Sequence, residues 1–221
     1  LTGSALVREL ERLTRVSIKT SYDWGRYEFV DEDPNNKSNV WTIYGAQSLS
    51  KNAHVSGNSA DKWNREHTYP QSKLSGSQKS DSHHIYADDW KTNGARSNHR
   101  FDDLANTSGN QVLDSAGTIT ANFSDGGAFE PMDAVKGQVA RATLYLYIQY
   151  GLSITGNFTS RDLCLRWNNE YPVTSWERYR NNKVDDEQGN RNPFVDPPEF
   201  ANRMFGLPSS ETVDQAKIDS A

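Results

Sequence analysis

All five histidines of the 221-residue chain lie in one stretch between residues 54 and 99. Histidine is the side chain that most often acts as an acid, a base or a metal ligand near neutral pH, so this clustering marks a candidate site. For any single imidazole, an ordinary structural place in a strand is the alternative interpretation. The cluster taken together favours chemistry. Its members are His54, His67, His83, His84 and His99.

A glutamate and a histidine stand side by side in "WNREHTYPQS" (63–72), as Glu66 and His67. Successive side chains of a regular strand point to opposite faces, so the two share a site only where the backbone is distorted or an ion draws them together. A carboxylate and an amide oxygen, here Glu66 and the downstream Asn93, suit Mg²⁺ or Ca²⁺. A neutral histidine outside the coordination sphere can take a proton from water. The plain alternative is a solvated Glu66 beside a half-buried His67.

Basic residues follow the histidines closely. Arg96 comes three residues after Asn93, on the same predicted helical face, and its guanidinium can hold phosphate oxygens in a bidentate way. Lys79, Lys91 and Arg100 lie in the same segment. They predict a local basic rim although the whole chain carries a net charge of −5. Each of these side chains has a solvated surface charge as its alternative.

The elements that position these residues are predicted as strand, loop, strand and short helix. "WNREHTYP" (63–70) has the composition of a strand, which Pro70 should end. "SHHIYA" (82–87) is the second strand, and "DDWKTNGARSN" (88–98) is the helix, with Asp88 or Asp89 as its N-cap. If the strands form a hairpin and the helix packs across it, Glu66 and His67 come close to Asn93.

The flanking segments predict further elements. Leu6, Leu10 and Leu13 form one stripe of an N-terminal amphipathic helix. Residues 30–39 predict a turn or loop, residues 40–45 a short strand, and the following stretch another loop. "TITANF" (118–123) predicts one more strand. The last third, about 132–207, predicts four helices, of which the first ends at Gly151, the third opens with a capping box from Thr174 to Glu177, and the fourth is capped at residue 196.

The order of elements predicts an α+β protein of one domain, mostly helical with a small antiparallel sheet, and the composition predicts that it is soluble. Hydrophobic residues make up 34% of the chain and aromatic residues 11%, so much of the core is built from rings. The longest apolar run, near 142–148, is far shorter than the roughly 20 residues of a membrane span. A single cysteine, Cys164, excludes an intramolecular disulfide and is expected to be buried. Because the sequence begins with Leu1, we expect a processed chain from which any signal peptide has been removed.

Four blocks in order along the chain resemble the bacterial endonuclease I family. They are "WNREHTYPQS", "SDSHHIYADDWKTNGARSN", "KGQVARATLYLY" and "QGNRNPFVDPPEFA". The resemblance implies a single nuclease domain over residues 1–221, with a ββα-metal (His-Me) finger at about 62–100. It also implies a secreted or periplasmic, non-specific endonuclease that cuts DNA and RNA to leave 5′-phosphate and 3′-hydroxyl ends.

The resemblance implies a role for each matching residue. His67 is the general base, and Glu66 and Asn93 are the protein ligands of Mg²⁺, which Mn²⁺ or Ca²⁺ can replace. Arg96, Asn98 and His83 are expected to support the site. The loop after the Glu–His pair is shorter here than in relatives that supply a phosphate-binding arginine from it, so Lys79, Arg96 or a residue of the helical third is expected to bind the phosphate. DNA and RNA are the expected partners, with no membrane and no protein partner.

Two other functions fit the residues. A zinc hydrolase would use His67, His83, His84 and Glu66 as ligands, because histidine-rich sites prefer zinc. A catalytically inactive relative would keep the fold and bind nucleic acid without cutting it. Bound-metal analysis separates the first alternative from the nuclease, and digestion of plasmid DNA and RNA with and without EDTA separates the second.

Overall fold

The computed structural model describes residues 1–15, 21–54, 60–155 and 159–208. Within these ranges the chain forms seven α-helices and nine strands, together with short 3₁₀ turns. The helices are α1 (Gly3–Thr14), α2 (Trp24–Val30), α3 (Trp90–Arg96), α4 (Asp133–Tyr150), α5 (Arg161–Glu170), α6 (Ser175–Gln188) and α7 (Phe200–Met204). The strands are β1 (Glu32–Asp33), β2 (Asn36–Trp41), β3 (Ser48–Ser50), β4 (Trp63–His67), β5 (Ile85–Asp89), β6 (Arg100–Phe101), β7 (Gln111–Leu113), β8 (Ile119–Ser124) and β9 (Ala128–Glu130).

The strands form three small sheets. β1, β2 and β3 pair antiparallel in that order, and β4 and β5 form a separate antiparallel pair. The third sheet has the order β6-β9-β8-β7, and β6 runs parallel to β9. The α+β class is therefore confirmed, although the expected single antiparallel sheet is three sheets, one of them mixed.

Helix α4 lies at the centre of the larger hydrophobic core. Fourteen of its 18 residues are buried, so it is covered on nearly all sides, as a central helix must be. It ends where Gly151 adopts a left-handed φ of +67°, which a residue without a Cβ adopts most readily. α1 and α5 pack against it, and α7 packs against α1 and α5 in the same core. Cys164 is buried in this core, as expected.

A second, smaller core attaches the β4–β5 pair to α2 and β2. Its buried members include Tyr27, Val40, Trp63 and Ile85. Helix α6 reaches the same region through Arg180, whose guanidinium contacts Asp31 at 2.5 Å and donates a hydrogen bond to the Ser82 backbone oxygen at 2.8 Å. The β4–β5 pair is therefore held in place by the small core with α2 and β2 and by the Arg180 contacts of α6.

Two predicted boundaries near the hairpins are wrong. Residues 30–39 were expected to be a loop, but β1 and most of β2 lie there, and β2 ends at Trp41. The turn between these strands is stabilised by Asp33, whose carboxylate accepts a hydrogen bond from the Asn35 backbone at 2.8 Å. The following segment, also expected to be a loop, contains β3. Polar residues hid these strands because much of each faces solvent.

The second strand of the candidate site begins at Ile85, three residues later than expected. His83 and His84 instead form a turn, in which Asp81 Oδ1 accepts a hydrogen bond from the His83 backbone at 2.9 Å. The strand before it ends at His67, ahead of Pro70.

The predicted cap of the last helix is also wrong. Helix α7 begins after Glu199, and the Asp196 carboxylate is paired with Arg191 at 2.6 Å.

Candidate active site

The predicted order of strand, loop, strand and short helix is present between residues 63 and 96. β4 pairs with β5 so that Glu66 lies opposite Tyr86 and His67 opposite Ile85. Helix α3 follows β5 directly, and Asp89 caps it by accepting hydrogen bonds from the backbone N–H groups of Lys91 and Thr92. Because the cap is the last residue of the strand, α3 starts without a linker.

A cavity of about 170 Å³ opens at the end of β4. Five of the seven predicted site residues line it, namely Glu66, His67, Asn93, Arg96 and Asn98. Its other lining residues are Arg65, Pro70, Gln71 and Ser97. The chain segments that the sequence predicts to meet therefore do meet around one small, polar space.

Glu66 is buried beneath this cavity, with 2% of its surface exposed. Tyr44 donates a hydrogen bond from its hydroxyl to Glu66 Oε1 at 2.7 Å, and Arg96 Nε lies 3.4 Å from the same oxygen. Burial raises the pKa of Glu66, and the Arg96 charge and the Tyr44 hydrogen bond oppose that rise only in part. An additional positive charge at this place would stabilise the ionised carboxylate.

His67 is held in one tautomer by the loop that follows it. Its Nε2 lies 3.3 Å from the backbone oxygen of Lys79. Since a carbonyl oxygen can only accept, Nε2 carries the hydrogen and Nδ1 carries the lone pair. Burial, with a smaller contribution from His84, lowers the pKa of His67 to about 3, so the ring is a neutral base at physiological pH.

Asn93 is oriented by a residue that the sequence did not single out. Its Nδ2 donates a hydrogen bond to Asn64 Oδ1 at 2.7 Å. This hydrogen bond uses one of the two amide N–H groups and orients the amide, and the carbonyl oxygen is the atom of Asn93 that could bind a cation. Asn64 lies two residues before Glu66, which places both on the same face of β4.

The alternation of β4 explains how neighbours serve one cavity. Asn64 and Glu66 point toward α3, where they contact Asn93 and Arg96 respectively. Arg65 and His67 point to the other face, and the Tyr22 ring lies against both. Because the strand ends at His67, both faces border the same opening. No distortion at Pro70 is needed.

Arg96 lines the cavity, and its guanidinium contacts backbone oxygens of the protein. Only 1% of it is exposed, and its guanidinium donates hydrogen bonds to the backbone oxygens of His67 at 3.1 Å and Thr68 at 2.5 Å. These two carbonyls accept hydrogen bonds from the terminal nitrogens that a bidentate contact to phosphate would use. Arg96 fixes the end of β4 and faces the Glu66 carboxylate.

His83 and Lys79 do not line the cavity. His83 is 3% exposed, hydrogen-bonds through Nε2 to the Asn190 backbone oxygen at 3.0 Å, and packs on Tyr145 away from the cavity. The structure therefore places His83 in the core, outside the residues that line the cavity. Lys79 contributes its backbone oxygen to His67, while its side chain is exposed.

The histidine ligands of the zinc alternative are not assembled. His84 Nε2 hydrogen-bonds to the Gln78 backbone oxygen at 2.7 Å, and the rings of His67 and His84 lie 5.5 Å apart. In the part of the chain that the structure describes, no group of three or more His, Cys, Asp or Glu side chains is arranged to hold a metal ion.

Four residues around the site were not predicted from the sequence, namely Tyr44, Asn64, Arg65 and Tyr22. The sequence does contain a clue to Asn64 and Arg65, because both immediately precede the Glu–His pair. Tyr44 and Tyr22 had none, because they come from distant segments that only the tertiary fold brings to β4.

Comparison with known proteins identifies the class of the chain as nuclease. An extracellular ribonuclease of Bacillus amyloliquefaciens is 34% identical over 226 residues, which cover 92% of this chain and 75% of the relative. An extracellular ribonuclease of Bacillus subtilis (strain 168) matches to the same extent. A periplasmic deoxyribonuclease of Aeromonas hydrophila is 35% identical over 116 residues, which cover 52% of this chain and 47% of the relative.

The family follows from a match over nearly the whole chain. The sequence profile of the Endonuclease I family matches residues 2–199. The chain belongs to the endonuclease I family, as its sequence blocks predicted. In the described residues, no helix is long and apolar enough to cross a membrane.

Proposed function

We propose that this protein is a divalent-metal-dependent, non-specific endonuclease that hydrolyses phosphodiester bonds in DNA and RNA, with His67 as the general base. The observation that carries the proposal is the state of His67. Its ring is buried and neutral, its Nε2 is anchored on the Lys79 carbonyl, and it lines the same cavity as Glu66 and Asn93. An imidazole held in this way presents one lone pair to a water molecule.

The chemistry of the donor set supports a hard divalent cation. Glu66 and Asn93 offer oxygen atoms, the ligand type that Mg²⁺ prefers, and Mn²⁺ or Ca²⁺ accepts the same donors. The buried Glu66 carboxylate, whose pKa is raised, is stabilised as an anion by such a charge. When bound, the cation supplies electrostatic stabilisation of the negative charge that develops on the phosphate oxygens.

The protein's own residues account for the proton transfer. His67 Nδ1 removes a proton from water, and the resulting hydroxide attacks phosphorus in line with the leaving 3′-oxygen. The bond between phosphorus and the 3′-oxygen breaks, and the leaving oxygen takes up a proton from the solvent. The products carry a 5′-phosphate and a 3′-hydroxyl. Since water is the nucleophile, the reaction requires no 2′-hydroxyl, and both DNA and RNA are substrates.

The relatives support the same substrates and a similar location. Two are named extracellular ribonucleases and a third is named a periplasmic deoxyribonuclease. We infer cleavage of both polymers and a secreted or periplasmic location for this protein. Contacts to phosphate carry little sequence information, which fits low specificity.

The test is digestion of plasmid DNA and of RNA with a metal series and with EDTA. Cleavage of both that requires Mg²⁺, Mn²⁺ or Ca²⁺ is expected. His67→Ala should abolish cleavage while retaining nucleic-acid binding, because the ring contributes the base and not the charge that binds the polymer. His99→Ala is the matched control, since His99 lies outside the cavity, and it should cleave as the wild type does.

Three outcomes would contradict the proposal. Wild-type turnover by His67→Ala removes His67 from the mechanism. Tightly held, stoichiometric zinc in the active protein favours the histidine-ligated hydrolase. Nucleic-acid binding without metal-dependent cleavage of either polymer leaves a binding protein.

A further inference from the structure

Arg65 is held between two aromatic rings beside the cavity. Its guanidinium carbon lies 3.6 Å from the centroid of the Tyr22 ring and 4.0 Å from that of the Trp24 ring. One N–H donates a hydrogen bond to the Tyr22 backbone oxygen at 3.0 Å. Cation–π contacts of this kind order a planar guanidinium without neutralising its charge.

The charge of Arg65 is still available to a ligand. Among the described residues Arg65 forms no ion pair, whereas most other arginines of the chain face a carboxylate. A guanidinium has five N–H donors, and the contact to Tyr22 uses one of them. The side chain is only half-buried. It can therefore donate several hydrogen bonds to an anion that enters the cavity.

The position of Arg65 in β4 places its side chain close to His67, where the phosphate would react. Arg65 and His67 are two residues apart and share a face of β4, and both line the cavity. The other arginine of the cavity, Arg96, has its guanidinium on the backbone oxygens of His67 and Thr68. Lys79 does not line the cavity, and its contact with the site is the hydrogen bond that its backbone oxygen accepts from His67 Nε2.

We propose that Arg65 binds the non-bridging oxygens of the substrate phosphodiester next to His67, and that Tyr22 and Trp24 position its guanidinium for this contact. The proposal rests on the nuclease function proposed above and identifies the phosphate-binding residue of that site. A lysine cannot replace it fully, because an ammonium neither stacks between two rings nor presents two parallel donors.

The experiment measures binding and cleavage of a fluorescent single-stranded oligonucleotide at several salt concentrations. Binding is measured in a His67→Ala background, so that the oligonucleotide stays intact. Arg65→Gln should reduce the slope of log Kd against log salt by about 0.7, the loss of one phosphate contact on a single strand. In the catalytically intact background it should lower kcat/KM by roughly 100-fold, the effect of removing one donor to a charged transition state.

Two further variants separate binding from structure. Arg65→Lys retains the charge and should keep the salt slope, while its kcat/KM falls by roughly 10-fold for want of the paired donors. Arg178→Gln is the matched control, an exposed arginine that donates to one backbone oxygen, that of Val195 at 3.3 Å, outside the cavity. It should change neither the slope nor kcat/KM.

The outcomes are distinguishable from a failure of the proposed function. If the wild type cleaves but Arg65→Gln keeps its salt slope, the phosphate assignment is overturned and the nuclease remains. The same holds if Arg65→Gln loses activity only in proportion to a lost folded fraction, measured by circular dichroism. If the wild type neither binds nor cleaves nucleic acid, the function and the assignment fail together.

Discussion

Replacing Arg96 by methionine should destabilise the protein strongly, because it leaves a buried charge without its partner. Methionine replaces the apolar stem of the side chain but removes the positive charge 3.4 Å from Glu66 and the donors to the His67 and Thr68 oxygens. The two charged side chains are 1% and 3% exposed, so water replaces little of what is lost. Breaking such a buried pair costs about 3 to 5 kcal/mol of unfolding free energy, a large part of the 5 to 15 kcal/mol typical of a domain.

The origin of this cost is testable with a double-mutant cycle. If an uncompensated Glu66 carboxylate is responsible, Glu66→Gln should relieve it. Arg96→Met should then cost about 1 to 3 kcal/mol less in the Glu66→Gln background than in the wild type. Urea unfolding followed by circular dichroism in EDTA at pH 7 gives all four free energies. Arg12→Met, in an exposed pair with Glu9, is the control and should leave the urea midpoint unchanged.

Two results would refute this reasoning. An Arg96→Met protein within about 1 kcal/mol of the wild type would show that water replaces the lost contacts, as it does at exposed pairs. Strictly additive effects of the two substitutions would show that Arg96 and Glu66 do not interact across the 3.4 Å contact.

Two further predictions concern the stability of the folded protein. Gly137→Ala should lower the unfolding free energy by about 1 to 3 kcal/mol, since a methyl group there collides with the backbone oxygen of Tyr171, whereas Gly94→Ala, with open space around it, should stabilise α3 by about 0.5 to 1 kcal/mol. Urea unfolding checks both, and equal effects would contradict the packing. Although burial raises it, hydrogen bonds from two lysines and a tyrosine lower the pKa of Glu32 to about 2. The free energy of unfolding of the wild type should therefore exceed that of Glu32→Gln at pH 7. This difference should shrink as the pH falls from about 4.5 and vanish below about 2. A difference that stays constant across that pH range would refute the prediction.

Helices and the order of elements around the site could be predicted from sequence because their signals are local. The cap at Asp89 and the stop at Gly151 depend on residues that act on their own backbone. The capping box from Thr174 to Glu177 is half correct. Thr174 accepts the hydrogen bond from the Glu177 backbone, but the Glu177 carboxylate instead pairs with the buried Arg141 at 2.6 Å. The contact of the Glu177 carboxylate is decided by Arg141, which is distant in the sequence, so a local sequence pattern cannot predict it.

The residues that line the cavity could largely be predicted from the sequence, whereas the contacts that each side chain makes could not. The chain positions that line the cavity follow from a hairpin and a helix, which the sequence indicates. The function of a long side chain such as Arg96 depends on how deep it is buried and on which carbonyls lie at the end of its reach, and tertiary packing decides both. Tyr44 is a further example, because its hydroxyl reaches Glu66 from a segment 22 residues away.

Because the side chains of β4 alternate between two faces, Arg65 and Arg96 lie on different faces of the strand and have different roles. Arg96 meets the Glu66 face, where contact with backbone oxygens and a buried carboxylate makes its charge part of the fold. Arg65 lies on the His67 face, where two aromatic rings hold its guanidinium and the residue borders the cavity. Loss of the first should therefore appear in the urea midpoint, and loss of the second in the salt dependence of binding. If substitutions of Arg96 and Arg65 both changed the urea midpoint, or both changed the salt dependence of binding, the two faces of β4 would not have these separate roles.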